Sequence, residues 1–247
     1  MNILAIDVGG THVKILAKGE KEKREIESGP TMTPRHMVLS VEQLAGDWKY
    51  DVVSIGYPGP VVDHRPSAEP HNLGSGWMGF DFAAAFKRPV KVINDAAMQA
   101  LGGYQGGRML FLGLGTGLGS AMIVDGIVEP MELAHLPYKK RTYEDYVGLR
   151  GLEEFGKKAW RKHVEEVVES LVAALQPDDV VLGGGNAKKL KQVPPLCRLG
   201  DNADAFKGGF LMWEGKLSGN TSSTPAIGGS DPGPMTARTK SSTINAR

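Results

Sequence analysis

Asp7-Val8-Gly9-Gly10-Thr11-His12-Val13-Lys14 follows the apolar run "NILAI" and leads straight into a second apolar stretch, "HVKILAKG". An apolar strand that ends in an acid, two glycines and a threonine, and then resumes as a strand, is a hairpin with an unobstructed turn. Such a turn presents backbone N–H groups and a hydroxyl, which can cradle phosphate oxygens. Asp7, at the end of the first strand, suits Mg²⁺ held through water, because Mg²⁺ keeps much of its hydration shell. The pattern returns in "FLGLGTGLGSAMIV", where "GLGTG", Gly113 to Gly117, makes the turn and Thr116 brings the hydroxyl. A third glycine turn, "GGGN", follows the apolar run in "DDVVL". Neither of the first two is a Walker loop, since the Gly-x₄-Gly-Lys-Ser/Thr spacing is absent. "GLGTGLG" fits the Rossmann fingerprint loosely, but an apolar strand-like run follows it instead of a helix.

Around these turns, strands and helices alternate, which makes the class α/β. "NILAID", "HVKILAKG" and the polar "KEKREIES" predict a β-meander, and "TPRHMVLSVEQLAGDW" predicts a helix with Met37, Val38, Val41, Leu44 and Ala45 on one stripe. "DVVSIGYPG" predicts a buried strand, "VVDHRPSAEPHNLGSGW" an irregular stretch and "DFAAAFKRP" a short helix. "VKVIN" predicts a strand, and "DAAMQALGGY" a helix right after it. "TYEDYVGLRGLEEFGKKAWRKHVEEVVESLVAAL" predicts helix broken near Gly148–Gly151, and "DDVVLGGGNAKKLK" predicts strand, turn and helix start. The two strand–turn–strand units look like copies of one idea and suggest two lobes facing a cleft. The boundary is expected near Asn94, with a smaller N-terminal lobe over 1–94 and a larger C-terminal lobe over 95–214. Residues 215–247 are mostly Gly, Ser, Thr, Pro and Ala, with four basic residues and one acid, and are expected to be a disordered tail.

The balance of 29 basic and 28 acidic side chains gives no hint of a nucleic-acid or membrane partner. No run reaches the roughly 18–20 apolar residues of a membrane span, and no basic-then-apolar signal segment opens the chain. A single cysteine, Cys197, fits a reducing compartment. The expectation is a soluble, cytoplasmic protein.

Asn94-Asp95 stands where a buried strand becomes a helix. The acid is either an N-cap or a general base that takes a proton from an attacking hydroxyl. His71-Asn72 lies in the irregular stretch before it, as either a solvated turn or a partner for vicinal sugar hydroxyls. Glu132 and His135 are three apart in "ELAHLPY", and Glu144 follows. These three can bond hydroxyls or ligate a metal, but their spacing matches no common zinc motif, so no zinc is expected.

"DVGGTHVK", "PGP", "HNLGSGW", "NDA", "GLGTGLGSA", "ELAHL" and "VVLGGGNAKKL" occur in the order seen in the ROK sugar kinases. Over about residues 2–214 the chain resembles that family, and within it the short polyphosphate/ATP glucokinase branch. The resemblance implies an actin-like, ribonuclease H-like fold of two lobes with a closing cleft. It implies phosphoryl transfer from polyphosphate or ATP, with Mg²⁺, to the 6-hydroxyl of glucose, and a homodimer. Asp7, Gly9, Gly10 and Thr11 match the first phosphate turn, with Lys14 just beyond it, and Gly115, Thr116 and Gly117 match the second. Gly183, Gly184 and Gly185 match the turn near the adenosine side, and Asn94 and Asp95 match the sugar-binding and base pair. Asn72, Glu132, His135 and Glu144 match glucose-hydroxyl contacts, although "YEDYVG" replaces the family's usual surroundings of Glu144.

Most ROK proteins carry a cysteine-rich zinc loop just after the His. Here "LPYKKRTYEDYVGLRG" has none, as in the polyphosphate-using branch, so the resemblance leaves His135 to the sugar. The family also holds sugar-responsive repressors with a helix-turn-helix module ahead of the kinase-like part. With the first strand at Asn2 and Asp95 in place, a kinase is expected over a repressor or a non-catalytic sugar-binding protein. A kinase for another hexose remains the alternative within the class. Three basic runs complete the reading: Lys139 to Arg141, then Lys157, Lys158, Arg161 and Lys162, then Lys188, Lys189 and Lys191. They are either solvated surface or a track for a long polyanion.

Overall fold

The computed structural model describes residues 1–214, so the tail expected at 215–247 lies outside the described residues. The opening meander forms as β1 (Ile3–Val8), β2 (His12–Ala17) and β3 (Arg24–Glu27), followed by α1 (Pro34–Leu44) and β4 (Val52–Tyr57). Next come the two-residue strands β5 (Val61–Val62) and β6 (Arg65–Pro66), then α2 (Phe82–Phe86), β7 (Val90–Asn94) and α3 (Asp95–Gly103). The second half holds β8 (Arg108–Leu114), β9 (Leu118–Val124) and β10 (Ile127–Met131). A 3₁₀ turn at Leu133–His135, β11 (Pro137–Tyr138), β12 (Arg141–Thr142), α4 (Tyr143–Val147) and α5 (Leu149–Leu175) follow. β13 (Asp179–Gly183), a 3₁₀ turn at Ala187–Lys189, β14 (Cys197–Leu199) and α6 (Asp204–Leu211) complete it.

The same sheet is built twice. The first has the order β3-β2-β1-β4-β7 and the second β10-β9-β8-β13-β14. In each, a three-stranded antiparallel meander leads, and two strands then add in parallel beside its first strand. β1 and β8 therefore hold equivalent central places, flanked on both sides and apolar along nearly their whole length. Each ends in its glycine turn at the same edge of its sheet. This repeated order bears out the α/β, two-lobed actin-like expectation.

α1 and α2 pack on the first sheet through Met37, Val41, Phe82 and Phe86. The second sheet is covered by α4 and α5 through Tyr146, Trp160, Val164 and Leu171. A third core lies between α3 and the other face of the second sheet, where Ala97, Ala100 and Leu101 meet Met109, Phe111 and Ile123. α6 crosses α3 backbone to backbone. A methyl on Gly102 would lie 1.8 Å from the Asp204 carbonyl oxygen, and one on Gly208 would lie 1.8 Å from that of Met98. The chain then returns to the first sheet, where Trp213 Nε1 donates to Ser54 Oγ at 2.9 Å and Lys91 Nζ to the Met212 carbonyl at 2.6 Å.

Some local expectations change. The long helical stretch breaks at Gly148, which is extended, where a break was expected, but it also breaks at Gly156, whose φ of 70° is left-handed. The helix start after "GGGN" is a single 3₁₀ turn, after which Leu190 turns extended. The irregular stretch after β4 contains the β5–β6 hairpin, closed by Asp63 and His64, both with positive φ.

Candidate active site

The two glycine turns face each other across a cleft of about 600 Å³. Asp7, Gly9, Gly10 and Thr11 line it from the first sheet, and Gly115, Thr116, Gly117 and Gly184 from the second. Asn72, Asn94, Asp95, Glu132, His135 and Glu144 share the same lining. Lys14, Gly183 and Gly185 are not in that lining. Lys14 pairs with Asp7 across the β1–β2 hairpin, its Nζ 3.9 Å from the Asp7 carboxylate. Gly183 is spent on packing, since a methyl there would lie 2.6 Å from the Phe111 ring, and Gly185 is exposed just beyond the cleft edge.

Both turns are fastened from behind through their carbonyls. In the first, Ser28 Oγ donates to the Gly9 oxygen at 2.7 Å and the Ser28 amide to the Thr11 oxygen at 2.9 Å. In the second, Asn186 Nδ2 donates to the Gly115 oxygen at 2.9 Å and the Leu149 amide to the Thr116 oxygen at 3.1 Å. Among the described residues, the amides of Gly10, Thr11, Thr116 and Gly117 donate to no protein acceptor. They are preorganised donors at one cleft, which suits anionic oxygens. Gly117 has a specific reason to lack a side chain: a methyl there would lie 2.1 Å from the Glu144 carboxylate. Gly184 has another, since its φ is 79° and a methyl would lie 2.6 Å from the Leu114 oxygen.

At the cleft floor, the helix cap is Asn94 and not Asp95. Asn94 Oδ1 accepts the Ala97 amide at 3.1 Å, and its Nδ2 donates to the Gly59 oxygen at 3.3 Å, which leaves one amide hydrogen for a ligand. Asp95 is the first residue of α3 and accepts the Ala96 amide at 2.8 Å through one oxygen. Burial pushes its carboxyl up to about 7, with the nearby Asp7 charge raising it further and Glu132 adding a little. Burial also raises Asp7, against the pull of Lys14 and Lys23. Two acids in one cleft thus hold protons more tightly than usual, as proton-transfer sites do. Glu132 and His135 bracket the 3₁₀ turn, where residues three apart eclipse and face the same way. Ser120 holds that segment, donating to the Met131 oxygen at 2.8 Å and accepting the Leu133 amide at 3.2 Å.

The raised value of Asp95 has two measurable consequences. The folded state binds this proton more tightly than the unfolded chain, whose value is near 3.8. Its contribution to stability is fully present below about pH 4 and is lost as pH rises through about 7. The melting temperature of Asp95→Asn minus that of wild type should therefore grow between pH 4 and pH 8. A difference that stays constant contradicts the raised value. If the carboxylate is the base, kcat/KM for the acceptor falls about tenfold per unit below about pH 7.

Sequence reasoning missed Ser28, Ser120, Asn186, Glu69 and Gln99. Glu69 and Gln99 line the cleft. Only Asn186 had a local signal, as the polar residue that closes "GGGN". The serines reach partners 19 and 11 residues away, so nothing nearby marks them.

A model described as the ROK family matches residues 3–129, just over half of the chain. A polyphosphate glucokinase of Mycobacterium tuberculosis is 25% identical over 213 residues, spanning 77% of this chain and 80% of the relative. Among solved structures, the polyphosphate/ATP-glucomannokinase of Arthrobacter sp. strain KM superposes with a TM-score of 0.74 at 23% identity, covering 85% of this chain and 97% of that one. A ROK family glucokinase of Streptomyces griseus, solved with glucose and AMPPNP, gives 0.67 at 15% identity, covering 85% and 99%. At such identities the two structures speak for the fold, and the family match reaches further: this chain belongs to the ROK family.

Proposed function

We propose that the cleft transfers a phosphoryl group from polyphosphate or ATP to the 6-hydroxyl of glucose, with Asp95 as the base. The observation that carries this reading is the meeting of two fastened glycine turns with one proton-accepting acid in a single cleft. Phosphoryl transfer asks chiefly for alignment and for donors aimed at phosphate oxygens. The free amides of Gly10, Thr11, Thr116 and Gly117 supply the donors. Asp95 takes the proton from the attacking hydroxyl, while Asn72, Glu132, His135 and Glu144 hold the others. Glu144 also accepts the Leu118 amide at 3.4 Å, so it links the sugar side to the second turn. The lobes 1–94 and 95–214 close on the bound pair and exclude water. Hexose preference is tested by comparing kcat/KM for glucose, mannose, fructose and an N-acetyl sugar. A preference for one of the last three would move the reading to another hexose.

Asp7 fits Mg²⁺: its half-buried carboxylate lines the cleft with Lys14 as far as 3.9 Å away, and Mg²⁺ accepts one carboxylate plus waters and donor oxygens. Bound there, the ion would neutralise charge on the donor phosphates.

The basic runs fall into two kinds. Lys139 and Arg141 are each paired at 2.7 Å, with Glu166 and Glu154 of α5, so the first run is bound to the helix. Among the described residues, Lys157, Lys158, Lys162, Lys188 and Lys191 have no ion pair. Arg161 joins the last two runs, its Nε donating to the Lys189 oxygen at 2.8 Å. Lys189 in turn reaches Asn186, which holds the second phosphate turn. This continuity favours a polyanion track leading to the turns, whose binding would weaken steeply with salt. Lys158→Glu combined with Lys162→Glu should raise KM for polyphosphate at least several-fold and leave the ATP reaction nearly unchanged. Equal losses with both donors would leave an ATP-dependent enzyme with a charged helix.

A further inference from the structure

The segment from Glu69 to Met78 makes a ring at one side of the cleft. Its anchors point inward. Pro70 and Leu73 are buried, and Trp77 is fully buried with Nε1 donating to the Met32 oxygen at 3.1 Å. Just before the ring, the Tyr57 hydroxyl donates to the Ala68 oxygen at 2.8 Å, and the Tyr57 and Trp77 rings lie 5.7 Å apart. The tip, His71 and Asn72, stays exposed and lines the cleft. Asn72 lies over the first glycine turn, close enough that a methyl on Gly10 would be 3.0 Å from its Cβ.

One side chain closes this ring. Glu69 Oε2 accepts the Trp77 amide at 3.1 Å, and Oε1 accepts the Met78 amide at 3.2 Å. The Trp77 amide above all holds the Glu69 carboxyl below the usual carboxylate range. Two adjacent amides on two carboxylate oxygens is an arrangement that a carboxamide cannot copy, because its NH₂ would face a second N–H. The anchors by themselves keep Trp77 and Leu73 in the core. Just outside the ring the Gly79 amide donates to the Pro66 oxygen at 2.9 Å, so the backbone brings the two flanks together. The acid adds a second tie inside it, from Glu69 to Trp77 and Met78, and with it a fixed place for the exposed tip.

We infer that Glu69 is a positioning residue, whose carboxylate clasps the 69–78 ring and holds Asn72 at the sugar wall. The inference rests on reading the cleft as a sugar kinase. It gives this exposed acid a role in acceptor binding and none in the chemistry or in donor binding. Positioning of this kind shows in KM for the acceptor, because it improves substrate and transition-state binding alike.

The test compares wild type with Glu69→Gln, Asn72→Ala and the double variant. It reads KM for glucose, KM for the donor, kcat, and hydrogen exchange at the Trp77 and Met78 amides. Glu69→Gln is expected to speed exchange at both amides at least tenfold and to raise KM for glucose about five- to tenfold, with kcat and donor KM within about twofold. The double variant is expected to be no worse than Asn72→Ala, since residues acting through one another are not additive. An unchanged glucose KM in Glu69→Gln overturns the inference. So do losses that multiply in the double variant, and so does a joint fall in kcat and melting temperature with both KM values raised. Should wild type phosphorylate no sugar, the kinase reading fails separately. Exchange at Trp77 and Met78 then still decides the clasp, and unchanged exchange sinks it.

Discussion

Asp95→Asn is expected to lower kcat by about 10²–10⁴-fold while the protein stays folded. The exchange keeps the side chain's size and its bond to the Ala96 amide, which an amide oxygen can accept as well as a carboxylate can. On the proposed reading it removes the proton acceptor and nothing else at the cleft floor. The cap of α3 is untouched, because Asn94 provides it. The Asn variant should therefore melt no lower than wild type, and above pH 7 it should melt higher, since a carboxyl pushed up to about 7 by burial and by Asp7 is costly to ionise. Loss of turnover with retained or improved stability is the signature of a group kept for chemistry. A variant that keeps more than about a tenth of wild-type kcat would place the base elsewhere.

Gly208→Ala, like Gly102→Ala across the same crossing, should be among the most disruptive small changes in the fold. In an ordinary helix this exchange stabilises by roughly 1 kcal/mol, because glycine is the poorer helix former. Here the new methyl would lie 1.8 Å from the Met98 carbonyl oxygen and 3.0 Å from the Gly102 nitrogen. Both are backbone atoms that cannot swing aside, so α6 must move off α3. A loss of about 3 kcal/mol or more is expected, a drop in melting temperature of roughly 6–12 °C for a chain of this size. The sign of the change decides the matter, and a melting temperature at or above wild type would show that the helices do not meet at this point. Because α3 begins at Asp95, the same variant should lose activity beyond its loss of folded protein.

Much of this site was legible in the sequence because its parts are local. An apolar run broken by glycines next to an acid gives strand, turn and candidate ligand together, and the repeat of that unit gives the second sheet. The order of β1 and β8 at equivalent places followed from that repeat. What escaped is what depends on distant partners. α6, with the sequence DAFKGGFL, carries two glycines that argue against a helix until the crossing with α3 explains them. Ser28, Ser120 and Asn186 became meaningful only when their bonds to the two turns and to the segment that carries Glu132 were visible. Three basic runs looked alike in the sequence, yet one is occupied by Glu154 and Glu166. Charge along a chain does not reveal which charges the fold pairs.

The central claim is that donor and sugar meet at one cleft and that Asp95 takes the hydroxyl proton. It is tested most directly by incubating the purified full chain with glucose, Mg²⁺ and either ATP or polyphosphate, and following glucose 6-phosphate through a coupled dehydrogenase. The account predicts glucose 6-phosphate with at least one donor from wild type, and a rate lower by about 10²-fold or more from Asp95→Asn. Glucose binding without any phosphorylated product from either donor would contradict it, and would make this chain a sugar-binding member of its family.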